Sequence, residues 1–168
     1  MPGQRSRITR MCMINGMPLI KELDEFTAPD IKKTMQETRG GSFIPGEVMV
    51  GIEKMTAKLK IIGANQMLLA ALGVTSGDVV QVDVKESQQD EDGLKFAVWW
   101  SLSGEVTSCT ESSSKMGELP SQEMEMAVSA YKKTENGKTI YEIDRNAQIL
   151  DLGAGDIMLD HRRLVGLP

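Results

Sequence analysis

Apolar and polar residues alternate with a period of two along most of this chain, the pattern of strands that bury one face and wet the other. Over residues 55–62, Met55, Ala57, Leu59 and Ile61 take one side while Thr56, Lys58 and Lys60 take the other. Residues 78–85 set Val80, Val82 and Val84 against Gln81, Asp83 and Lys85. Residues 94–103 set Phe96, Val98, Trp100 and Leu102 against Lys95, Ala97, Trp99 and Ser101. Neighbouring positions on a strand point to opposite faces, so Trp99 and Trp100 cannot enter one core. One of them meets a second layer or another subunit.

The clearest single stretch is residues 124–143, where Asn136-Gly137 separates two alternating runs. A type I′ turn needs positive φ at both central residues, which Asn tolerates and Gly adopts without a Cβ clash, so this dipeptide predicts a two-residue β-hairpin. With Glu135 opposite Lys138, strict pairing sets Lys132 against Tyr141 and Ala130 against Ile143. Met126, Val128, Ala130, Tyr141 and Ile143 then share an apolar face, and Ser129, Tyr131, Lys133, Ile140, Glu142 and Asp144 share a wetter one. An isolated hairpin is marginal in water, so it must join a larger sheet.

Residues 8–13 and 47–52 also read as strands, Asn15-Gly16 as a second turn leading to Leu19 and Ile20, and residues 148–152 as a short last strand. One helix is predicted: Asn65 caps it, Met67, Leu68, Ala71 and Leu72 form its stripe, and Gly73 stops it. At about two turns it is too short to stand alone and must lie across a sheet. Residues 39–46, with Gly40, Gly41, Pro45 and Gly46, form a loop with wide backbone freedom, and residues 104–121 a long connection. The sum is one mainly β domain over residues 1–168, an antiparallel barrel or sandwich with one short flanking α-helix and an N-terminal arm at residues 1–10.

Composition agrees with an ordinary globular domain: 168 residues, 40% hydrophobic and 26% charged. Aromatics are scarce, and the twelve Met residues read as flexible core filler in preference to a ligand surface. A net charge of −5 does not suit tight binding of phosphate backbones. Arg5, Arg7 and Arg10 sit in a first decade without an acidic residue, either a nucleic-acid arm or a solvated tail that orders against a neighbour, and the tail is the expectation. Cys12 and Cys109 stand far apart without His partners, which indicates neither a disulfide framework nor zinc.

No catalytic, cofactor or metal site emerges. Gly40-Gly41 lacks the Lys-Ser/Thr of a phosphate loop, Gly153-Ala154-Gly155 lacks the rest of a dinucleotide fingerprint, and Asp90-Glu91-Asp92-Gly93 lacks the downstream ligands of a calcium loop. His161 is the only histidine; with no nucleophile motif to serve, it is expected at the surface. No apolar run reaches the length of a membrane span, and no signal peptide is read.

Several phrases, taken in order, carry a resemblance: Asn15-Gly16; Glu37-Thr38-Arg39-Gly40-Gly41; residues 48–58 around Gly51-Ile52-Glu53; Gly63-Ala64; and above all Ala127-Val128-Ser129-Ala130-Tyr131-Lys132, leading through Asn136-Gly137 to Tyr141-Glu142-Ile143-Asp144. Over residues 8–167 the chain resembles the major tail tube proteins of contractile-tailed phages, a family also used as the inner tube of contractile bacteriocins. The resemblance implies six-membered rings that stack into a tube inside a contracting sheath. It further implies a virion protein made in the host bacterial cytoplasm. Its partners would be other copies of itself, the tail sheath, the baseplate and the tail terminator, with the tape-measure protein and DNA passing through the lumen without specific binding.

Physical reasoning meets this expectation. Joining sheets from six subunits into a closed barrel removes their unpaired edges, and the wet face becomes the lumen wall. Lys and Arg on that wall would hold DNA phosphates and slow transit, so an acidic wall is expected. Asp83, Glu142 and Asp144 are the lumen candidates, with Lys85 and Lys133 as partial offsets. The loop residues Arg39, Gly40, Gly41, Ser42 and Phe43, with both termini, are the expected contacts between rings. The alternatives are a ring protein of a type VI secretion apparatus and, from another class, a monomeric ligand-binding β-barrel, which would need a closed apolar cavity. A hydrolase lacks a nucleophile and base to build on.

Overall fold

The computed structural model describes residues 3–63 and 79–168, and the predicted helix at residues 65–73 lies outside them. The described strands are β1 (Arg5–Ile14), β2 (Met17–Leu19), β3 (Leu23–Thr27), β4 (Lys33–Thr38), β5 (Gly46–Ile52), β6 (Met55–Ile62), β7 (Val80–Asp90), β8 (Lys95–Glu111), β9 (Ser121–Glu135), β10 (Lys138–Asp144) and β11 (Ile149–Asp151). One described helix, α1 (Leu159–Leu164), follows. The chain is mainly β and every strand pair is antiparallel.

Both Asn-Gly turns form as their chemistry dictates. Asn15 and Asn136 each sit at φ +48°, with Gly16 at +81° and Gly137 at +79°. Asn136 does more than turn the chain, because its side-chain oxygen accepts the Ala97 amide at 2.9 Å and ties the hairpin to β8.

β8 and β9 are long enough to serve two sheets. Residues 121–128 of β9 pair with β6, whereas residues 130–135 pair with β10 along the same edge. The first sheet is therefore β3, β6, the first half of β9 and the second half of β8. The second sheet runs β11, β10, the rest of β9, the rest of β8, β7, β1 and β2. Ser103 pairs with Ala130 but Gly104 with Val128, so Ser129 is an extra residue where the strands pass from sheet to sheet. Such a bulge bends a strand and increases its twist. The two layers meet face to face, and Phe26 of the first touches Trp100 of the second edge-on at 5.6 Å.

The core between them takes the predicted apolar faces of β6, β7 and β8. Leu59, Ile61, Leu102, Met124 and Met126 are each below 2% exposed, and burying a side chain of this size stabilises by about 1.5–3 kcal/mol. Trp100 belongs to this core at 7% exposed, whereas Trp99 points away and keeps 42% of its surface. Cys12 is buried too; burial first, and Asp83 second, push its thiol up to about 12, so it stays protonated and unreactive.

Several expectations from the sequence are corrected. The Ser129 bulge inverts the facing of β9, so Tyr131 is buried and Lys132 is exposed. A second irregularity between Thr139 and Tyr141 shifts the hairpin register, pairing Tyr141 with Lys133, Glu142 with Lys132 and Ile143 with Tyr131. β8 continues to Glu111, through the first part of the expected connection, and β7 continues to Asp90. The expected N-terminal arm is strand from Arg5 onward: Arg5 meets Glu135 at 2.6 Å and lies 3.7 Å over the Phe96 ring. Residues 33–38, which alternate poorly, form β4. α1 had no sequence signal because six residues carry no readable stripe.

Candidate assembly surfaces

Four features of this fold reach outward, and the first is the β4–β5 hairpin. It forms a separate two-stranded sheet in which every β4 residue is exposed. At its tip the Ser42 amide donates to the Arg39 carbonyl, and Gly40 and Gly41 supply positive φ, which a residue with a Cβ adopts only at a cost. Beyond that turn Phe43 is wholly exposed and Ile44 nearly so. One step inward, Glu37 lies opposite Glu47, and Arg39 neutralises Glu37 at 2.9 Å. Like charges directly opposed weaken an isolated hairpin.

The second feature is the outer face of the second sheet. Trp99 lies along it, its indole N–H donating to Asp83 at 3.2 Å and its ring 4.4 Å from the Lys85 ammonium. Beside Trp99, a groove of about 810 Å³ is lined by Met11, Ile20 and Ala97, with Lys85 and Lys132 among its lining. Asp83, Lys85, Glu142 and Asp144, four of the five expected lumen residues, share this face. Glu142 pairs with Lys132 at 4.0 Å, and Asp144 accepts the Asn146 and Ala147 amides to close the turn after β10. Lys133 does not join them: on the core side of the bulge its ammonium sits 5.7 Å from the Trp100 ring and 6.0 Å from that of Tyr141.

The third is the outer face of the first sheet, where Glu25, Glu123 and Glu125 stand among Thr27, Ser108 and Thr110, with Lys58 and Lys60. Among its described residues none is a large exposed apolar side chain comparable to Trp99. Among the described residues, β3 pairs on one edge only, and residues 106–111 of β8 pair only with β9.

The last is the C-terminal segment. Arg162 is 8% exposed and holds three oxygens: Asp156 at 2.6 Å, the Gln148 carbonyl at 2.9 Å and the Pro168 carbonyl at 3.0 Å. The Asp156 carboxylate also accepts the Leu150 and Met158 amides. Removal from water pushes that carboxyl up, but the Leu150 amide, Arg162 and the Met158 amide outweigh this and hold it below its ordinary value. The clasp fixes a segment whose Ile157, Leu164 and Val165 remain exposed. Sequence reading passed over Arg162 because its three partners come together only in the fold.

Residues 8–166 match the sequence profile of the family described as phage tail tube protein FII. The chain belongs to that family. It is a structural protein of a contractile tail tube, and the fold agrees with this. The tube protein resembles a chain in the sheath–tube complex of an extracellular contractile injection system, PVC, in its extended state (14% identity, TM-score 0.57, 75% of this chain and 88% of that one). It also resembles a chain from the anti-feeding prophage cap, described as a tube-terminating cap (17% identity, TM-score 0.56, 74% and 87%). No curated protein matches it in sequence. Among the described residues no helix of the tube protein is long and apolar enough to cross a membrane.

Proposed function

We propose that this tube protein closes into six-membered rings, that the rings stack head to tail, and that the stacked bore carries DNA. The observation that carries the reading is the first sheet, where, among the described residues, β3 and residues 106–111 of β8 have strand partners along only one edge. Exposed sheet edges invite pairing with another chain, and closing such edges around a ring removes them. A head-to-tail contact between rings builds an open filament. The exposed arm tip, residues 39–44, and the exposed C-terminal segment are the contacts between rings.

Similar folds occur in a sheath–tube complex, a tube terminator and a baseplate, which supports sheath, terminator and baseplate as the partners here. The role is mechanical, not catalytic, and its place is the tail of a particle assembled in a bacterial cytoplasm. Negative-stain microscopy of the purified protein over a concentration series is the direct test. Rings or tubes of uniform width are expected, with masses in multiples of six subunits. A monomer that stays monomeric even when offered preformed tube ends overturns the reading.

For the lumen wall we favour the outer face of the first sheet, where Glu25, Glu123 and Glu125 stand among Thr27, Ser108 and Thr110 and where Lys58 and Lys60 are paired with Glu125 at 3.9 Å and Asp24 at 3.4 Å. A second reading places the wall on the face of Asp83, Lys85, Glu142 and Asp144, with Lys133 no longer beside them. Its support is the single face these four share. Reversing Glu123 and Glu125 to Lys is expected to leave tubes intact while lowering DNA delivery about tenfold or more, through added phosphate contacts. Reversal of Glu142 and Asp144 is expected to change delivery little. The opposite pattern selects the second face.

A further inference from the structure

The Trp99 groove lies on a face that the preferred lumen wall leaves unused, and it differs in kind from the rest of the surface. Large exposed apolar concavities on soluble domains mark interaction sites. Met11, Ile20, Ala97 and Trp99 make its lining largely apolar, and two cations stand in it, Lys85 over the Trp99 ring and Lys132, which also faces Glu142 at 4.0 Å. The one acidic residue in the lining, Glu86, is buried on the core-facing side of β7 and engaged by Arg7 at 3.1 Å and by Gln88 at 2.8 Å. The groove therefore offers an apolar seat with a positive rim.

The β4–β5 arm carries the complementary order of chemistry. Phe43 and Ile44 form an apolar plug at the tip, and the opposed carboxylates Glu37 and Glu47 form a collar one step behind it. Arg39 satisfies Glu37 but no described ion pair satisfies Glu47. We infer that the Phe43–Ile44 tip of one copy seats in the Trp99 groove of another, with its Glu37–Glu47 collar against Lys85 and Lys132. This rests on the tube reading and names the receptor for the arm. Each copy offers one tip and one groove, so the contact is head to tail and propagates.

The test is a disulfide trap in assembled tubes. In a Cys109→Ser background, Phe43→Cys is combined with Ala97→Cys in the groove, or with Ser108→Cys on the first sheet as a control, and tubes are exposed to oxidised glutathione. Buried Cys12 stays silent. The expected result is a ladder of covalent multimers for the 43–97 pair, not a stop at dimers, and no ladder for 43–108. A readout without new cysteines accompanies it. Acrylamide quenching of tryptophan fluorescence should fall several-fold on assembly of the wild-type protein and stay unchanged in Trp99→Phe, whose remaining Trp100 is buried throughout. Tubes of normal width that give no 43–97 products, or that leave Trp99 as quenchable as in the monomer, overturn the seat while leaving the tube reading standing. A wild-type protein that never assembles removes the tube reading itself, and this inference with it.

Discussion

Deletion of residues 40–45 yields a subunit with wild-type stability that does not polymerise. The stability half follows from where the hairpin stands. β4 is exposed throughout, and at the base of β5 Ile52 is the residue of the hairpin that packs on the core. Removing the tip takes away no core contact, and Glu37 and Glu47 then close a three-residue loop, a length that hairpins accept. Changes confined to such a surface fall within about 0.5 kcal/mol, so the urea midpoint should barely move.

The assembly half follows from what the tip would bury. Covering Phe43 and Ile44 is worth about 1.5–3 kcal/mol for each side chain. Loss of about 4 kcal/mol at each contact weakens every association step roughly a thousandfold, and a tube repeats that contact at every subunit. Microscopy should show no tubes at concentrations where the wild-type protein forms them. Normal tubes from the deletion, with an unchanged urea midpoint, would remove the arm from assembly altogether.

The same hairpin marks the limit of what the sequence makes legible. Alternation identified β6, β7 and the first part of β8 because each has one face in the core and one in water, and burial enforces the period. β4 has no buried face, so nothing forced residues 33–38 to alternate. Its strand character comes from cross-strand pairing with β5, which local pattern does not encode. The arm tip was legible as a glycine-rich loop that holds Phe43. The groove was not, since Met11, Ile20, Ala97 and Trp99 come from separate stretches and meet only once β1, β7 and β8 lie side by side. Trp99 alone carried a signal, as the tryptophan that had to leave the core. Lys133 went to the wrong face because two extra residues intervene, Ser129 before it on β9 and Ile140 across the hairpin from it. A period of two has no memory of a bulge, so facings invert from the first bulge until the second restores them, and Glu142 and Asp144 keep the expected face.

That bulge is also where the fold is least tolerant, and Gly104→Ala is expected to cost more stability than any other glycine substitution to alanine in the described sheets. A Cβ on Gly104 would stand 2.0 Å from the Ala127 carbonyl oxygen, 2.9 Å from its carbon and 3.0 Å from the Val128 Cα. All three are backbone atoms of the paired strand, so no side chain can rotate away. Relief requires β8 and β9 to separate where both pass from one sheet to the other, which disturbs the Phe26–Trp100 contact and the packing around Val106, Met126 and Val128. Overpacking commonly costs about 1–3 kcal/mol, and more when rigid atoms collide, so a loss of about 4 kcal/mol or more is expected from total stabilities of about 5–15 kcal/mol. Gly51→Ala is the control, because a Cβ there meets nothing within 4 Å, and it should stay within about 1 kcal/mol of wild type. Urea unfolding followed by tryptophan fluorescence reads both. Equal midpoints for the two variants would mean that the strands can part at Ser129 without penalty, and the crossing would then not be what fixes one sheet against the other. If instead Gly104→Ala unfolds early while its arm is untouched, tubes should fail for a different reason than in the deletion. There the subunit is sound and lacks its contact; here the contact is present on a subunit that cannot hold its two sheets in place.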